Sequence, residues 1–267
     1  MTTSPSWDVA QYLRHADHRT RPFTDLLARI GELPTSPARI VDLGCGAGNV
    51  TALLAGRWPT ARITGLDSSP EMLRAAEAHA GAWPSGGSLD FAYADAARWT
   101  PDGQVDLLVS NAVLQWVPGH SARFADWTGA LPPGGYFAFQ VPGNFAAPSH
   151  ALMRRLCASP RWRGRLDGVL REDPVRTPGE YLAELTALGC EVDAWETTYA
   201  HLLHGQDPVL DWVKGTGLRP VLEELGEEAG EFTAEYRELL REAYPAGPHG
   251  TVFPFRRIFV VARKARG

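Results

Sequence analysis

Three glycines, Gly44, Gly46 and Gly48, fall within the stretch Val41-Asp42-Leu43-Gly44-Cys45-Gly46-Ala47-Gly48-Asn49, directly after a short apolar run. A glycine has no Cβ and lets the backbone come close to a ligand. A plain turn between a strand and a helix does not need three of them, so the stretch reads as a ligand loop. The helix that follows starts at once, and its free amides would face the ligand. A dinucleotide fingerprint, G-x-G-x-x-G, would put the third glycine where Asn49 stands. Here it comes one place early, and the Asp42 carboxylate would repel a pyrophosphate. A group carrying both an ammonium and a carboxylate fits better. Asp42 can pair with the ammonium, and loop amides can take the carboxylate. S-adenosylmethionine carries such a group.

Two more acids extend the pattern. Asp67 ends the second apolar run, where a carboxylate can accept both hydroxyls of a ribose. Asp95 follows the third run, where it can accept from an adenine amino group while the Ala96 amide donates to the ring. Either acid alone is as readily a helix cap or a solvated side chain. Together with Asp42 they mark the carboxyl ends of three successive strands, the edge on which such sheets bind ligands. The fourth run ends in Ser110-Asn111-Ala112-Val113-Leu114-Gln115-Trp116-Val117-Pro118. Asn111 is there either a group beside the sulfur or a turn residue, and Trp116 either a cofactor neighbour or core. The expected cofactor set is Asp42, Gly44, Cys45, Gly46, Asp67, Ser68, Met72, Asp95, Ala96, Asn111 and Trp116.

The elements that must position these residues alternate at short intervals. Strands are expected at Arg39–Leu43, Arg62–Leu66, Leu89–Ala94, Val105–Ser110 and Tyr136–Val141, with helices at Asn49–Arg57 and Pro70–Ala80. Nearly all-apolar strands between helices mean βαβ units and a parallel sheet covered on both faces. After Pro142 the rhythm changes. Helices are expected at Ser149–Ala158, Pro178–Leu188, Asp207–Lys214 and Leu222–Ala243, with strands at Cys190–Tyr199 and Phe253–Ala262. The periodic apolar stripe of the last helix reads as core, with its glutamates in solvent. The fold class is therefore α/β: an open, mostly parallel, seven-stranded Rossmann-like sheet with a helical cap inserted late in the chain. The organisation expected is a single domain over residues 1–267: an N-terminal lid (1–30), a cofactor-binding core (38–142), helical cap elements around strand six (143–250) and the last strand (251–264).

With 267 residues, 44% of them hydrophobic and 21% charged, the composition is that of a globular chain. A formal charge of −5 offers no basic surplus for a nucleic acid, which favours a small substrate. The three cysteines are far apart, with no metal-ligand spacing and no disulfide framework, as in a reduced, cytoplasmic protein. No run is apolar enough for a signal peptide or a membrane span. A monomer is expected, with no metal.

The order DLGCGxGN, LDSSPEM (Leu66–Met72), Asp95 and SNAxLQWVP (Ser110–Pro118) resembles class I S-adenosylmethionine-dependent methyltransferases. The likeness extends to Trp7–Leu13, Arg19-Thr20-Arg21-Pro22, Gln140–Asn144, Gly189–Tyr199, Asp211-Trp212-Val213 and Phe253–Arg263. With these, the chain resembles the trans-aconitate 2-methyltransferase family over almost its whole length. Ala47 departs from the Pro often found in this turn. The resemblance implies methyl transfer to a carboxylate of trans-aconitate, giving a monomethyl ester. An acceptor of that kind is ionised at neutral pH, since carboxylate pKa values lie near ~4. It needs no general base, and positioning rather than acid–base chemistry should carry the reaction; no catalytic residue of that kind is expected.

The remaining carboxylates of a polycarboxylate need cations. In this fold the last strand usually runs antiparallel, so its start lies at the ligand edge with Arg256 and Arg257 on opposite faces. Arg257 is favoured. Strand six brings Tyr199 and His201 to the same edge. Arg219 would join them from the cap, and Tyr12, Arg19 and Arg21, with Trp7, from the N-terminal lid. Three other readings stand beside this one: a methyltransferase with another acceptor (another carboxylic acid, a quinone or a phenol), an NAD-dependent oxidoreductase, and a cofactor-binding module without catalysis.

Overall fold

The structure, a computed structural model, describes residues 16–170 and 175–266, with side chains from residue 20 onward. In chain order its principal elements are α1 (Ala16–Leu27), β1 (Arg39–Leu43), α2 (Ala52–Arg57), β2 (Arg62–Asp67), α3 (Pro70–Ala76), β3 (Gly81–Ala82), β4 (Ser88–Tyr93), β5 (Leu107–Asn111), α4 (Phe124–Gly129) and β6 (Tyr136–Pro142). There follow α5 (Pro148–Cys157), α6 (Arg163–Leu166), α7 (Pro178–Ala187), β7 (Cys190–Leu203), α8 (Pro208–Lys214), α9 (Arg219–Leu225), α10 (Ala229–Ala243) and β8 (Thr251–Lys264).

The sheet runs in the order β3-β4-β2-β1-β5-β6-β8-β7. Pairs β1·β2, β1·β5, β2·β4 and β5·β6 are parallel. The last strand reverses direction: Lys264 exchanges backbone hydrogen bonds with Gly134 and Gly135, while Arg256 accepts from Gly143. Higher numbers on β8 thus meet lower numbers beside β6, as in an antiparallel pair. The α/β class, the mostly parallel sheet and the reversed last strand follow the pattern expected of the sequence.

The sheet has one strand more than the seven expected. The addition is β3, a two-residue piece antiparallel to β4. It forms because Trp83 and Gly87 close a turn, N to O at 3.1 Å, while the Trp83 indole donates to Pro59 O at 2.7 Å. The helix expected over 70–80 correspondingly ends at Ala76 and tightens into a 3₁₀ turn, Glu77–His79. Two other elements differ. The helix expected over 222–243 is interrupted at Gly226, whose φ of +55° no regular helix tolerates, leaving α9 and α10. The helix after the glycine turn begins at Ala52 instead of Asn49, because the turn itself continues through Thr51.

The chain forms two compact units. Of the described residues, the first comprises 16–141, 175–196 and 258–266, and the second 142–170 and 197–257. Strand β7 passes from the first to the second after Glu196, and β8 returns after Arg257. In the first unit Val41, Leu43, Leu108, Phe124, Trp127, Phe137, Phe139, Tyr181 and Val260 pack into one core. In the second, Met153, Trp162, Val213, Phe232, Tyr236, Phe253 and Phe255 form another. Among the described residues, no helix is long and apolar enough to cross a membrane.

Candidate active site

The first unit brings the glycine turn and its acids to the carboxyl ends of β1, β2, β4 and β5. All three turn glycines have positive φ: +84° at Gly44, +55° at Gly46 and +77° at Gly48. At Gly44 and Gly48 the missing Cβ also serves packing. A Cβ on Gly44 would lie 2.1 Å from Val113 Cγ2, and one on Gly48 would lie 2.8 Å from Phe91 Cζ and 3.0 Å from Ala76 Cβ.

Four of the turn amides are engaged within the protein. Gly44 N and Cys45 N both donate to Leu66 O, at 2.7 and 2.9 Å. Gly46 N donates to Asp67 Oδ2 at 2.9 Å, and Gly48 N to Cys45 O at 3.1 Å. These four donors are spent in fastening the turn to β2 and to itself. Without a helix starting at Asn49 to hold them, the turn must satisfy its own polar groups.

Asp42 is 1% exposed. Its Oδ2 accepts from Thr51 Oγ at 2.6 Å, and its Oδ1 is buried with no partner. Burial pushes the carboxyl up to about 7; the Thr51 bond pulls it down, and the nearby Asp67 charge pushes it further up. Asn49 Oδ1 is likewise buried with no partner. The Cys45 thiol is pushed up by burial and by the two aspartates, so it stays protonated and unreactive.

Asp67 ties three pieces together. Besides Gly46 N, it accepts Ser69 N at 2.8 Å through Oδ1, and its backbone oxygen accepts Ala94 N at 3.0 Å. Burial raises its pKa, and the backbone donors oppose the shift. Of Ser68 and Ser69, it is Ser69 that caps α3, accepting Met72 N at 3.3 Å, with Pro70 at the first helical position. Ser68 is partly exposed and Met72 buried. Asp95, its side chain 46% exposed, accepts Ala97 N at 2.9 Å and lies 4.0 Å from Arg98; Ala96 is partly exposed beside it.

At the end of β5, buried Asn111 accepts from Gln140 Nε2 at 2.5 Å. The next residue, Ala112, has φ +59°, and its amide donates to Gln140 O at 2.9 Å. Among the described residues it is the one non-glycine with positive φ, a strained geometry of the sort that clusters at functional sites. Trp116 is 38% exposed and so is not a core residue.

The second unit holds most of the expected acceptor residues. On β7, buried Tyr199 stacks against His201, centroids 6.3 Å apart, and His201 stacks on Trp212 at 5.1 Å. Arg256 is tied to the backbone, donating to Gly143 O at 3.0 Å through Nη1 and to Asn144 Oδ1 at 2.7 Å through its amide. Arg257 is 4% exposed, its guanidinium 5.0 Å over the Phe255 ring. Arg219 bonds Glu223 at 3.1 and 3.2 Å. In the first unit Arg21 is exposed on α1. Trp7, Tyr12 and the Arg19 side chain lie outside the described residues.

Sequence reasoning did not single out Thr51, Gln140 or His150. Thr51 stands close to the turn, and Gln140 could have been found from the β5·β6 register, which sets it opposite Asn111. His150 follows buried Ser149, whose Oγ lies 3.1 Å from its Nδ1.

The residues present fit S-adenosylmethionine. A buried carboxylate oxygen without a partner is costly unless a donor arrives, and an ammonium is such a donor. Asp67 takes backbone donors on both oxygens and keeps lone pairs for further donors.

A family model described as a methyltransferase domain matches residues 40–135. The YcgJ protein from Bacillus subtilis has the same fold, with a TM-score of 0.56 and 16% identity over 92% of this chain and 100% of that one. A trans-aconitate 2-methyltransferase from Streptomyces avermitilis is 69% identical, covering 97% of each chain. One from Rhodococcus jostii is 48% identical over 96% of this chain and 99% of its own. At that identity and coverage, the chain belongs to the trans-aconitate 2-methyltransferase family.

Proposed function

We propose that the protein transfers the methyl group of S-adenosylmethionine to a carboxylate of trans-aconitate, releasing the monomethyl ester and S-adenosylhomocysteine. The observation that carries the reaction type is the orphaned, buried Asp42 Oδ1 beside a glycine turn fastened by Asp67. The acceptor rests on the name of the relative 69% identical over the full chain.

Bound S-adenosylmethionine supplies an electrophilic methyl on a sulfonium. The protein's own groups bind and orient. Asp42 receives the ammonium, Asp67 the ribose hydroxyls, and Asp95 with Ala96 the adenine. Asn111 and Trp116 stand at the end of β5 for the reacting part of the cofactor. The acceptor carboxylate arrives already ionised, so its oxygen takes the methyl carbon without losing a proton. Attraction between the anion and the sulfonium fades as their charges cancel in the transition state, so alignment at about 3 Å contributes more than charge. For the other carboxylates we assign Arg257, a buried guanidinium, with Tyr199 and His201 on β7; Arg19, Arg21, Arg219, Arg256 and Tyr12 are further candidates. The three free, buried cysteines support work in a reducing compartment such as the cytoplasm.

The test is labelled S-adenosylmethionine with trans-aconitate, cis-aconitate, isocitrate or citrate. Base-labile label should form fastest with trans-aconitate. Equal or greater label on another acid would reassign the acceptor, and label that resists mild base would remove the ester.

A further inference from the structure

We propose that Thr51 is a positioning residue for cofactor binding: its hydroxyl occupies Asp42 Oδ2 and leaves Oδ1 as the oxygen that receives the cofactor ammonium. The proposal rests on the reading of Asp42 given above.

Three observations carry it. Thr51 is fully buried, and a buried hydroxyl must find a partner. Its backbone is already helical, φ −58° and ψ −37°, and the amides that follow it, Ala52 N, Leu53 N and Leu54 N, bond the backbone oxygens of Gly48, Val50 and Thr51. The hydroxyl is therefore not needed as a helix cap, and it donates to Asp42 at 2.6 Å. Finally, the donation is one-sided: Oδ2 is satisfied, Oδ1 is buried and empty-handed. A carboxylate held by one oxygen cannot rotate its orphan away, so the remaining acceptor points in a fixed direction before any ligand arrives.

The same bond bears on charge. Asp42 sits where burial and the Asp67 charge both favour the neutral acid, and Thr51 is the side-chain donor that opposes them. The titratable groups facing it are Asp67 on β2 and the Cys45 thiol in the turn. Removing the Thr51 donor should therefore leave Asp42 protonated over more of the neutral range, where it cannot pair with an ammonium.

The experiment is calorimetric titration of the ligand-free protein with S-adenosylhomocysteine, which carries the same ammonium, from about pH 5.5 to about pH 8.5. For the natural chain, affinity should rise with pH and level off above about 7. Thr51→Val should weaken binding at pH 7 by about tenfold and move the midpoint of the pH profile up by about one unit. Thr51→Ser, which keeps the hydroxyl, should stay within about twofold of the natural chain. Asp42→Asn should weaken binding by about a hundredfold and flatten the profile. If Asp42→Asn binds poorly but Thr51→Val keeps the natural affinity and midpoint, Thr51 is only structural and the proposal is overturned. If Asp42→Asn binds as tightly as the natural chain, the ammonium reading of Asp42 falls first. Should Thr51→Val not fold, Thr51→Ala carries the same expectations.

Discussion

The two units handle buried charge in opposite ways. In the first, an acid is buried: Asp42, held by one hydroxyl and surrounded by a turn whose amides serve the protein itself. In the second, a cation lies among aromatics, Arg257 over Phe255, while His150, edge-on to Phe145 at 5.4 Å, is held neutral by burial. One unit stores unsatisfied negative charge, which suits a cationic ligand. The other holds back positive charge, which suits an anion. A sulfonium cofactor with an ammonium and a polycarboxylate acceptor have these two signs.

The sharpest way to break this contrast is pH. An acid whose pKa is higher in the fold than in the unfolded chain keeps a proton that the unfolded chain has released. Between 3.8 and about 7, then, Asp42 makes folding of the ligand-free chain less favourable as pH rises, by up to roughly 4 kcal/mol over the window. His150 works the other way. Burial, aided by the Arg154 charge, pushes its imidazole down to about 4, so stability is lost as pH falls from 6.5 through that value. The two windows overlap and their slopes oppose, so in urea midpoints measured across this range Asp42→Asn should leave stability rising with pH and His150→Gln should leave it falling. If neither substitution changes the slope, the contrast is wrong.

Next in size is a pair of glycines. Gly44→Ala forces a Cβ into Val113 at a positive φ and should cost about 3 kcal/mol; Gly168→Ala in the second unit has positive φ but open space and should cost about 1 kcal/mol. Thermal melts that rank them equally would mean that Val113 simply moves aside. Gln140→Leu follows, leaving Asn111 Oδ1 buried without its donor, for about 2 kcal/mol in chemical denaturation. An unchanged midpoint would show that water or another donor takes over. On function rather than stability, Arg257→Ala should raise the acceptor KM about tenfold, ~1.4 kcal/mol, while the S-adenosylmethionine KM stays put. Arg256→Ala should have the lesser effect on acceptor KM, and the reverse ranking would exchange their roles.

The contrast also marks what was legible in the sequence. The first unit's strands and glycine turn follow from local patterns, and Asp42, Asp67 and Asp95 stand one after another at strand ends. The bond between Asn111 and Gln140 links residues 29 apart in the chain, and only the strand register brings them together. Thr51 was hidden for a subtler reason: it fell inside the helix expected over Asn49–Arg57, where nothing marks a threonine out, and only the fold turns its hydroxyl to a carboxylate. Gly226 lay inside a well-formed apolar stripe, and periodicity is blind to one positive φ. In the second unit the arginines could be placed on faces of a strand, but their burial depends on aromatic rings from Trp212 to Phe255 that no local pattern assembles.

The sheet order has a consequence for how the chain comes into being. Strand β8 lies between β6 and β7. On the ribosome, β7 is therefore made long before the neighbour it pairs with, and the whole second stretch of the other unit is synthesised in between. The first unit cannot close its sheet until Ile258–Lys264 has emerged, so it must wait, one edge unfilled, until the second stretch of the other unit has been made. A ribosome-stalled chain ending before Ile258 should remain sensitive to protease along Cys190–Glu196, and the finished chain should not.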